Sequence, residues 1–502
     1  MIKTIGTVIS NFDGPSTFRF DFVIKDSEGV PVHKGQFIQV KTEQGILVGR
    51  VDEILKTNRY FMQAESVREF EKSGRPINEM FPVDRWEYLV AKTIPLGIYD
   101  SGLVKRVTYP PSPGKVVEEI DKKILVDFLG LDENGLNIGK ISFHDLDAKV
   151  NLTKMFQKHL AILAISGAGK SYLTSVLFEE LLDRIDELGK PSVIVIDPHG
   201  EYVGFGNDPN YGNKTKVYTK DDISIGISKL SPYQIMEFLP QMSSAQKREL
   251  TTIIQKLIKE KKSYGFKDLI TSIEMSNTKQ VIKDTMKSWL MQLENSKIFR
   301  NYTKPNIEDL AKPGQLSILD ISDIINQKEK QMLVTFFTRK LFWLRRIGRI
   351  PPFILVVEEA HQFCPEGVKK EGALSRSILE TIAREGRKFY ASLVLISQRP
   401  IQLSTTALSQ CNTHIIMRIT NPYDLDHIGK SSEGITSDVL KMIPGLRVGE
   451  ALIVGEAVNY PLLIKVRGRN SKKSDKGISF ENALLNYNKS FKKNNEDMKA
   501  FM

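Results

Sequence analysis

The sequence predicts an α/β protein in which a parallel sheet with a phosphate-binding loop is interrupted by a helical insertion and preceded by a small β-barrel. Three observations carry that expectation. From Met1 to about Ile141 the apolar residues recur with period two, the pattern of half-buried strands. From about Asn151 the texture changes to short apolar runs separated by longer amphipathic stretches, the alternation that builds parallel sheets covered on both faces. Within this second region lies Ala164-Ile165-Ser166-Gly167-Ala168-Gly169-Lys170-Ser171, between an apolar run, His159 to Ile165, and an amphipathic one, Tyr172 to Ile185.

In the first region Phe18, Phe20, Phe22 and Ile24 alternate with Arg19, Asp21 and Val23. Gln36 to Lys41 is joined to Ile46 to Val51 through the turn-forming Glu43-Gln44-Gly45. Short strands punctuated by Asp13-Gly14-Pro15 and Pro110-Pro111-Ser112-Pro113-Gly114 read as a small barrel. A short segment there, Gln63 to Lys72, reads as helix.

The strand, loop and helix around Gly169 have the order of a P-loop nucleotide site. Glycines let backbone N–H groups converge on phosphate oxygens, Lys170 reaches the β- and γ-phosphates, and the Ser171 hydroxyl ligates Mg²⁺ at the positive end of the helix. Ser166, Gly167, Ala168, Gly169, Lys170, Ser171 and Tyr172 form the expected ATP-binding set. The first glycine of the pattern is replaced by Ala164, whose methyl group is tolerable if φ stays negative.

Further strands are expected at Ser192 to Asp197, Leu316 to Ile321, Phe353 to Val357, Leu393 to Ser397 and His414 to Ile419. Between the second and third core strands, Ile223 to Asn306 carries apolar residues at helical spacing: Leu250, Ile253, Ile254, Leu257 and Ile258, then Ile282, Met286, Trp289, Leu290 and Leu293. Its Lys256, Lys259, Lys261 and Lys262 form either a nucleic-acid face or, the stronger expectation, a solvated helix face. Glu450 to Val454 and Leu462 to Val466 read as a final hairpin, and Asn470 to Met502 as a polar arm.

Hydrolysis needs an acid beside the loop. Five apolar residues, Phe353 to Val357, run into Glu358-Glu359 and so place two carboxylates at the carboxyl edge of the sheet, where doubly wound folds bind ligands. Glu358 is expected to orient Mg²⁺ through water, and Glu359 to act as general base on the attacking water. Gln398, ending the next strand in Ser397-Gln398-Arg399-Pro400, is a γ-phosphate sensor or a plain strand-end hydrogen bond. Arg384 and Arg387, in Arg384-Glu385-Gly386-Arg387-Lys388, are either an exposed salt-bridged helix end or arginines that reach a neighbour's γ-phosphate, a contact that contributes about 10³ to 10⁵ in rate. The latter role requires an oligomer. The Asp197-Pro198-His199-Gly200-Glu201-Tyr202 stretch closes the second strand at the same edge, either positioning the γ-phosphate or a pore loop or simply turning the chain.

Composition excludes several classes. No apolar run approaches the roughly 20 residues of a membrane span, and Met1-Ile2-Lys3-Thr4-Ile5-Gly6 lacks the apolar core of a secretory signal, so no membrane role and a cytoplasmic location are expected. Cys364 and Cys411 lie far apart without a nearby Cys or His pair, which gives neither a disulfide framework nor a zinc site. An excess of 71 Lys and Arg over 60 Asp and Glu leaves +11, a mild bias toward polyanions.

With these residues in place the chain resembles the HerA family of hexameric DNA translocases, within the HerA and FtsK group of P-loop ATPases. The resemblance rests on Ala161 to Ser171, Asp197 to Tyr202, Glu358-Glu359-Ala360-His361, Arg384 to Lys388 and Ser397 to Pro400, in that order. It implies a barrel over residues 1–145, a RecA-like P-loop ATPase core over 146–222 and 307–469, a helical subdomain over 223–306 and a tail over 470–502, with the region after Gly449 bracing the next subunit. It also implies a homo-hexamer that spends ATP with Mg²⁺ to move along double-stranded DNA, beside a NurA-type nuclease in DNA-end processing and repair. Two alternatives stay open: a ring scaffold that activates an anti-phage effector, and a polymer translocase of the conjugative-secretion type.

Overall fold

The computed structural model describes residues 2–10, 14–25, 32–58, 87–239, 241–260, 263–368, 372–432 and 434–474, with isolated positions in 61–72 and 481–487. The chain divides into two compact units. The first comprises Met1–Gly135, Gly139–Lys149 and Val458–Lys465, and the second comprises Leu136–Ile138, Val150–Ala457 and Val466–Met502.

In the first unit the period-two region forms β1 (Thr4–Ile9), β2 (Phe20–Ile24), β3 (Phe37–Thr42), β4 (Gly45–Asn58), β5 (Glu87–Asp100), β6 (Leu103–Lys105) and β7 (Val116–Glu119). The strands follow the order β2-β1-β7-β3-β4-β5-β6, and a β2–β5 pairing closes the first six into a barrel. Closure removes the edges that an open sheet would expose. Inward residues Ile5, Phe20, Phe22, Ile38, Val40, Leu47 and Val117 pack as one apolar cluster. Phe18 departs from the expected alternation: it precedes β2 in a bend held by Ser16 Oγ and is 81% exposed. The expected helix at Gln63 to Lys72 falls outside the described residues except at isolated positions.

The sheet of the second unit contains β8 (Leu160–Leu163), β9 (Ser192–Asp197), β10 (Thr215–Tyr218), β11 (Leu316–Asp320), β12 (Phe353–Val357), β13 (Ala391–Ser397), β14 (Thr413–Ile416) and β15 (Glu450–Gly455). Its order is β10-β11-β9-β12-β13-β8-β14-β15. All neighbours run parallel except β14 and β15. Every residue of β8, β9, β11, β12, β13 and β14 is buried, as strands covered on both faces require. The edge strand β10 was not expected, because its four residues, Thr-Lys-Val-Tyr, offer no apolar run.

The P-loop leads into α1 (Lys170–Asp183), with Gly169 as its N-cap in the left-handed region. Residues between β10 and β11 form α2 (Pro232–Phe238), α3 (Ser244–Glu260), α4 (Phe266–Glu274) and α5 (Gln280–Asn295). At their base Ile225–Gly226 pairs in parallel with Phe299–Arg300. Leu250, Ile254, Leu269, Met286 and Leu290 are fully buried in these helices. Ile258 is 47% exposed and does not belong to the apolar stripe. Lys256 and Lys259 are exposed, and Lys261 and Lys262 lie outside the described residues. Two further helices, α6 (Gln327–Arg346) and α7 (Arg376–Glu385), precede β12 and β13.

Candidate active site

Parallel pairing brings the ends of β8, β9, β12 and β13 to one edge of the sheet. Leu163 aligns with Ser397, Ile196 with Val357, and Val357 with Leu395. Each strand therefore delivers its next residues to the same place: the P-loop after β8, the Asp197 turn after β9, Glu358-Glu359 after β12 and Gln398 after β13. This is the ligand-binding edge of an open α/β sheet.

The loop itself is held open by glycine. Gly167 and Gly169 have φ of +78° and +106°, a region that side chains rarely adopt. Ala164 is fully buried, is not among the positive-φ residues, and donates its N–H to Ser397 O at 3.2 Å, so the replaced first glycine causes no backbone strain.

Lys170, only 7% exposed, donates from Nζ to Glu358 Oε1 at 2.5 Å and stands 3.5 Å from Glu359 Oε1. Burial works against its ammonium, but the Glu358 and Glu359 carboxylates outweigh that penalty and raise its pKa above the ordinary lysine value. Glu358 is wholly enclosed, and burial raises its pKa in turn, against the pull of Lys170. The Lys170 ammonium, hydrogen-bonded to Glu358 and facing Glu359 as an ion-pair partner, keeps the Lys170–Glu358 pair ionic.

The second Glu358 oxygen accepts from the hydroxyl of Tyr202 at 2.9 Å. Tyr202 is itself fully buried and fixed by Asp197, whose carboxylate accepts the N–H groups of His199, Gly200, Glu201 and Tyr202 at 2.7–3.2 Å. Burial pushes the Asp197 carboxyl up to about 6, while the N–H groups of Tyr202, Glu201 and His199 oppose the shift. The Asp-Pro-His-Gly-Glu-Tyr turn thus orients Glu358 through Tyr202.

Glu359 is the exception in backbone geometry. Its φ of 50° and ψ of 46° are left-handed, uncommon for a residue with a side chain. The conformation turns Oε1 toward Gln398, whose Nε2 donates at 2.9 Å. Its Oε2 is buried without a hydrogen-bond partner and lies 3.3 Å from His361 Nδ1, which contacts Ser397 Oγ at 3.1 Å. An oriented carboxylate with an unused lone pair suits a general base.

These groups border a cleft of about 790 Å³. Ser166, Gly167, Gly169, Lys170, Ser171 and Tyr172 of the loop and helix line it, together with Glu359 and Gln398. His199 and Glu201 come from the turn after β9, and Arg469, Lys473 and Ser474 from the segment after Val466. Ala168 and Glu358 are enclosed behind the wall and do not line it. Arg384 and Arg387 are not in this cleft: both are exposed, and Arg384 Nη1 lies 3.9 Å from Glu380 Oε2 on its own helix. Sequence reasoning missed Tyr202 as the partner of Glu358, and Arg469 and Lys473 as lining residues. The turn was visible as a motif, but the last two sit in a polar stretch with no periodicity.

Among the described residues no helix is long and apolar enough to cross a membrane, and no cluster of three or more His, Cys, Asp or Glu side chains is arranged to hold a metal ion.

The sheet order, the loop and the paired glutamates define a P-loop ATPase. The family model described as the central domain of helicase HerA matches residues 136–341. The DNA double-strand break repair helicase HerA of Pyrococcus furiosus is 28% identical, with 89% of each chain covered. A probable helicase of Methanocaldococcus jannaschii is 27% identical over 96% of this chain and 98% of its own. Among solved structures, VirB4 of Thermoanaerobacter pseudethanolicus has the same core fold, with a TM-score of 0.54 at 17% identity, covering 68% of this chain and 98% of that one. The chain is thus similar to the HerA central domain over residues 136–341 and to HerA helicases over most of its length.

Proposed function

We propose that this protein assembles into a ring, a homo-hexamer, which hydrolyses ATP between subunits and moves along double-stranded DNA, working beside a NurA-type nuclease in DNA-end processing. The observation that carries this reading is the convergence of Lys170, Glu359 and Gln398 on one cleft, with Glu358 behind them. The relatives named as DNA double-strand break repair helicases support the choice of DNA as the polymer.

Lys170 leaves its carboxylate partners for the β- and γ-phosphates when a triphosphate enters, exchanging one set of anions for another. Its departure unmasks Glu358 and Glu359 as the cleft fills. Glu359 Oε2 then takes a proton from the attacking water, and the Gln398 amide, already on Oε1, holds the base and senses the γ-phosphate.

An all-oxygen donor set suits a hard cation such as Mg²⁺. Ser171 at the head of α1 would hold it directly and Glu358 through water, since Glu358 is enclosed behind the cleft wall. When bound, such an ion neutralises charge on the β- and γ-phosphate oxygens.

Arg384 or Arg387, exposed and outside its own subunit's cleft, reaches the γ-phosphate of the neighbouring copy. Loss of that phosphate removes the anion gripped from both sides, so neighbouring subunits shift. Contacts to DNA are then mainly to phosphates and strongly salt-dependent.

The test is turnover with and without duplex DNA, together with the mass of the assembly. Stimulation by duplex in a multi-subunit ring is expected. A protein that stays monomeric with nucleotide and duplex present, or turnover indifferent to duplex, overturns the motor reading. Mixing Glu359→Gln subunits with Arg384→Ala or Arg387→Ala subunits restores some turnover if the site is shared, and restores none if it is not.

A further inference from the structure

The segment after Val466 is fastened across the P-loop helix like a strap. Buried Glu179 on α1 accepts four hydrogen bonds from it: Arg467 Nη1 at 2.7 Å, the Asn470 N–H at 2.9 Å, the Ser471 N–H at 2.7 Å and Ser471 Oγ at 2.6 Å. Arg467 also pairs with Glu180 at 2.8 Å. Further along, the Lys472 N–H donates to Asp208 at 2.6 Å and the Ser474 hydroxyl to Gly200 O at 2.8 Å. A Cβ at residue 204 would stand 2.8 Å from Lys472 O, so glycine there is what lets the two backbones approach.

This fastening fixes Arg469 in the nucleotide cleft. Its N–H donates to the Tyr172 hydroxyl at 2.6 Å, and its guanidinium lies over the Phe205 ring, 5.4 Å from the centroid. The guanidinium donates to Ser471 O at 3.0 Å, to Ser471 Oγ at 2.8 Å and to Lys472 O at 2.5 Å. All three acceptors are neutral, and among the described residues no carboxylate forms an ion pair with it. Burial lowers the Arg469 pKa even against the longer-range pull of the Glu179 and Asp208 carboxylates, and an anion that enters the cleft relieves that desolvation.

Position along the loop says which anion. Lys170 and Glu359 mark the γ-phosphate end. Tyr172, two residues beyond Lys170, marks the opposite end, where a P-loop cradles the α-phosphate. We infer that Arg469, delivered by the strap, is a nucleotide-binding residue that contacts the α-phosphate. Because the α-phosphate survives hydrolysis, the strap holds ADP as well as ATP, unlike the groups at the γ end. This assignment rests on the cleft being the ATP site.

Titration of the full-length protein with ADP and with a non-hydrolysed ATP analogue tests it. Arg469→Ala is expected to raise the Kd for both by a similar factor, about tenfold. Arg469→Lys, which keeps the charge, recovers part of the loss. If Arg469→Ala fails to fold, Arg469→Gln, which keeps a donor for the strap carbonyls, carries the same readout. Unchanged ADP affinity in a folded variant, or a loss confined to the triphosphate, overturns the role of Arg469 and leaves the site standing. Wild-type protein that binds neither nucleotide overturns the site itself.

Discussion

The barrel and the sheet edge treat charge in opposite ways. In the barrel the inward cluster is apolar and ions pair outside it, as Lys92 with Glu53 at 2.8 Å and Lys41 with Glu118 at 3.4 Å. Such exposed pairs contribute roughly 0 to 1 kcal/mol. At the sheet edge Lys170, Glu358, Tyr202 and Asp197 are all buried, and each holds another in place. A chain seeking stability alone gains little from enclosing such ions, because desolvation offsets their attraction. The difference teaches where to look for chemistry: apolar burial shapes the barrel, and buried charge marks the proposed nucleotide site.

The sharpest way to break that contrast is Lys170→Ala. It is expected to lower ATP turnover by at least about 10³-fold, measured by phosphate release, because the cation proposed to meet the β- and γ-phosphates is gone. Near-normal turnover would remove the P-loop assignment. Phe22→Ala should do the reverse. Emptying a fully buried position in the barrel costs about 3–5 kcal/mol in denaturant unfolding of that unit, with kcat per folded molecule unchanged. A comparable fall in kcat would show that the barrel is not merely structural.

Glu359→Gln is expected to slow turnover by about 10²-fold while the Kd for ATP moves less than threefold, since the amide keeps the size of the side chain but not its basicity. Equal loss of binding and turnover would argue for a ligand-holding role in place of a base.

The smallest effect concerns pH. Burial lowers His159 and His414 in the second unit, and His144 in the first, from 6.5 to about 4. His159 accepts the Leu393 N–H, a bond that only the neutral ring can make. Because the folded pKa lies below the unfolded one, the neutral rings' contribution is complete above pH 6.5 and is lost as pH falls toward about 4. Thermal midpoints followed from pH 7 to 4.5 should fall, more steeply for the unit with two such histidines; a flat profile would contradict their burial as neutral rings.

Much of this architecture is legible in the amino-acid sequence. The strands β8, β9, β11, β12 and β13 announced themselves as apolar runs ending in loops or carboxylates, and the barrel through alternation at Phe20, Phe22 and Ile24. Short-range patterns of this kind survive folding because they set local periodicity. Other features depend on partners 156 or 288 residues away, as Tyr202 with Glu358 and Arg467 with Glu179, and no spacing in the sequence links them. The strap reads as a polar arm because several of its hydrogen bonds run through backbone N–H groups, which composition does not reveal. Phe18 misled for the opposite reason, having the right parity but falling just outside the strand.

The left-handed backbone at Glu359 also governs how a saturation screen at that position should be interpreted. Valine, isoleucine and threonine would fail there for conformational reasons, since β-branched side chains resist positive φ. Asparagine and glycine, which adopt it readily, would preserve the chain path while discarding the acid. A ranking of variants by fitness would therefore mix two selections, and only the asparagine, glycine and glutamine substitutions would separate the demand for a carboxylate from the demand for a bend.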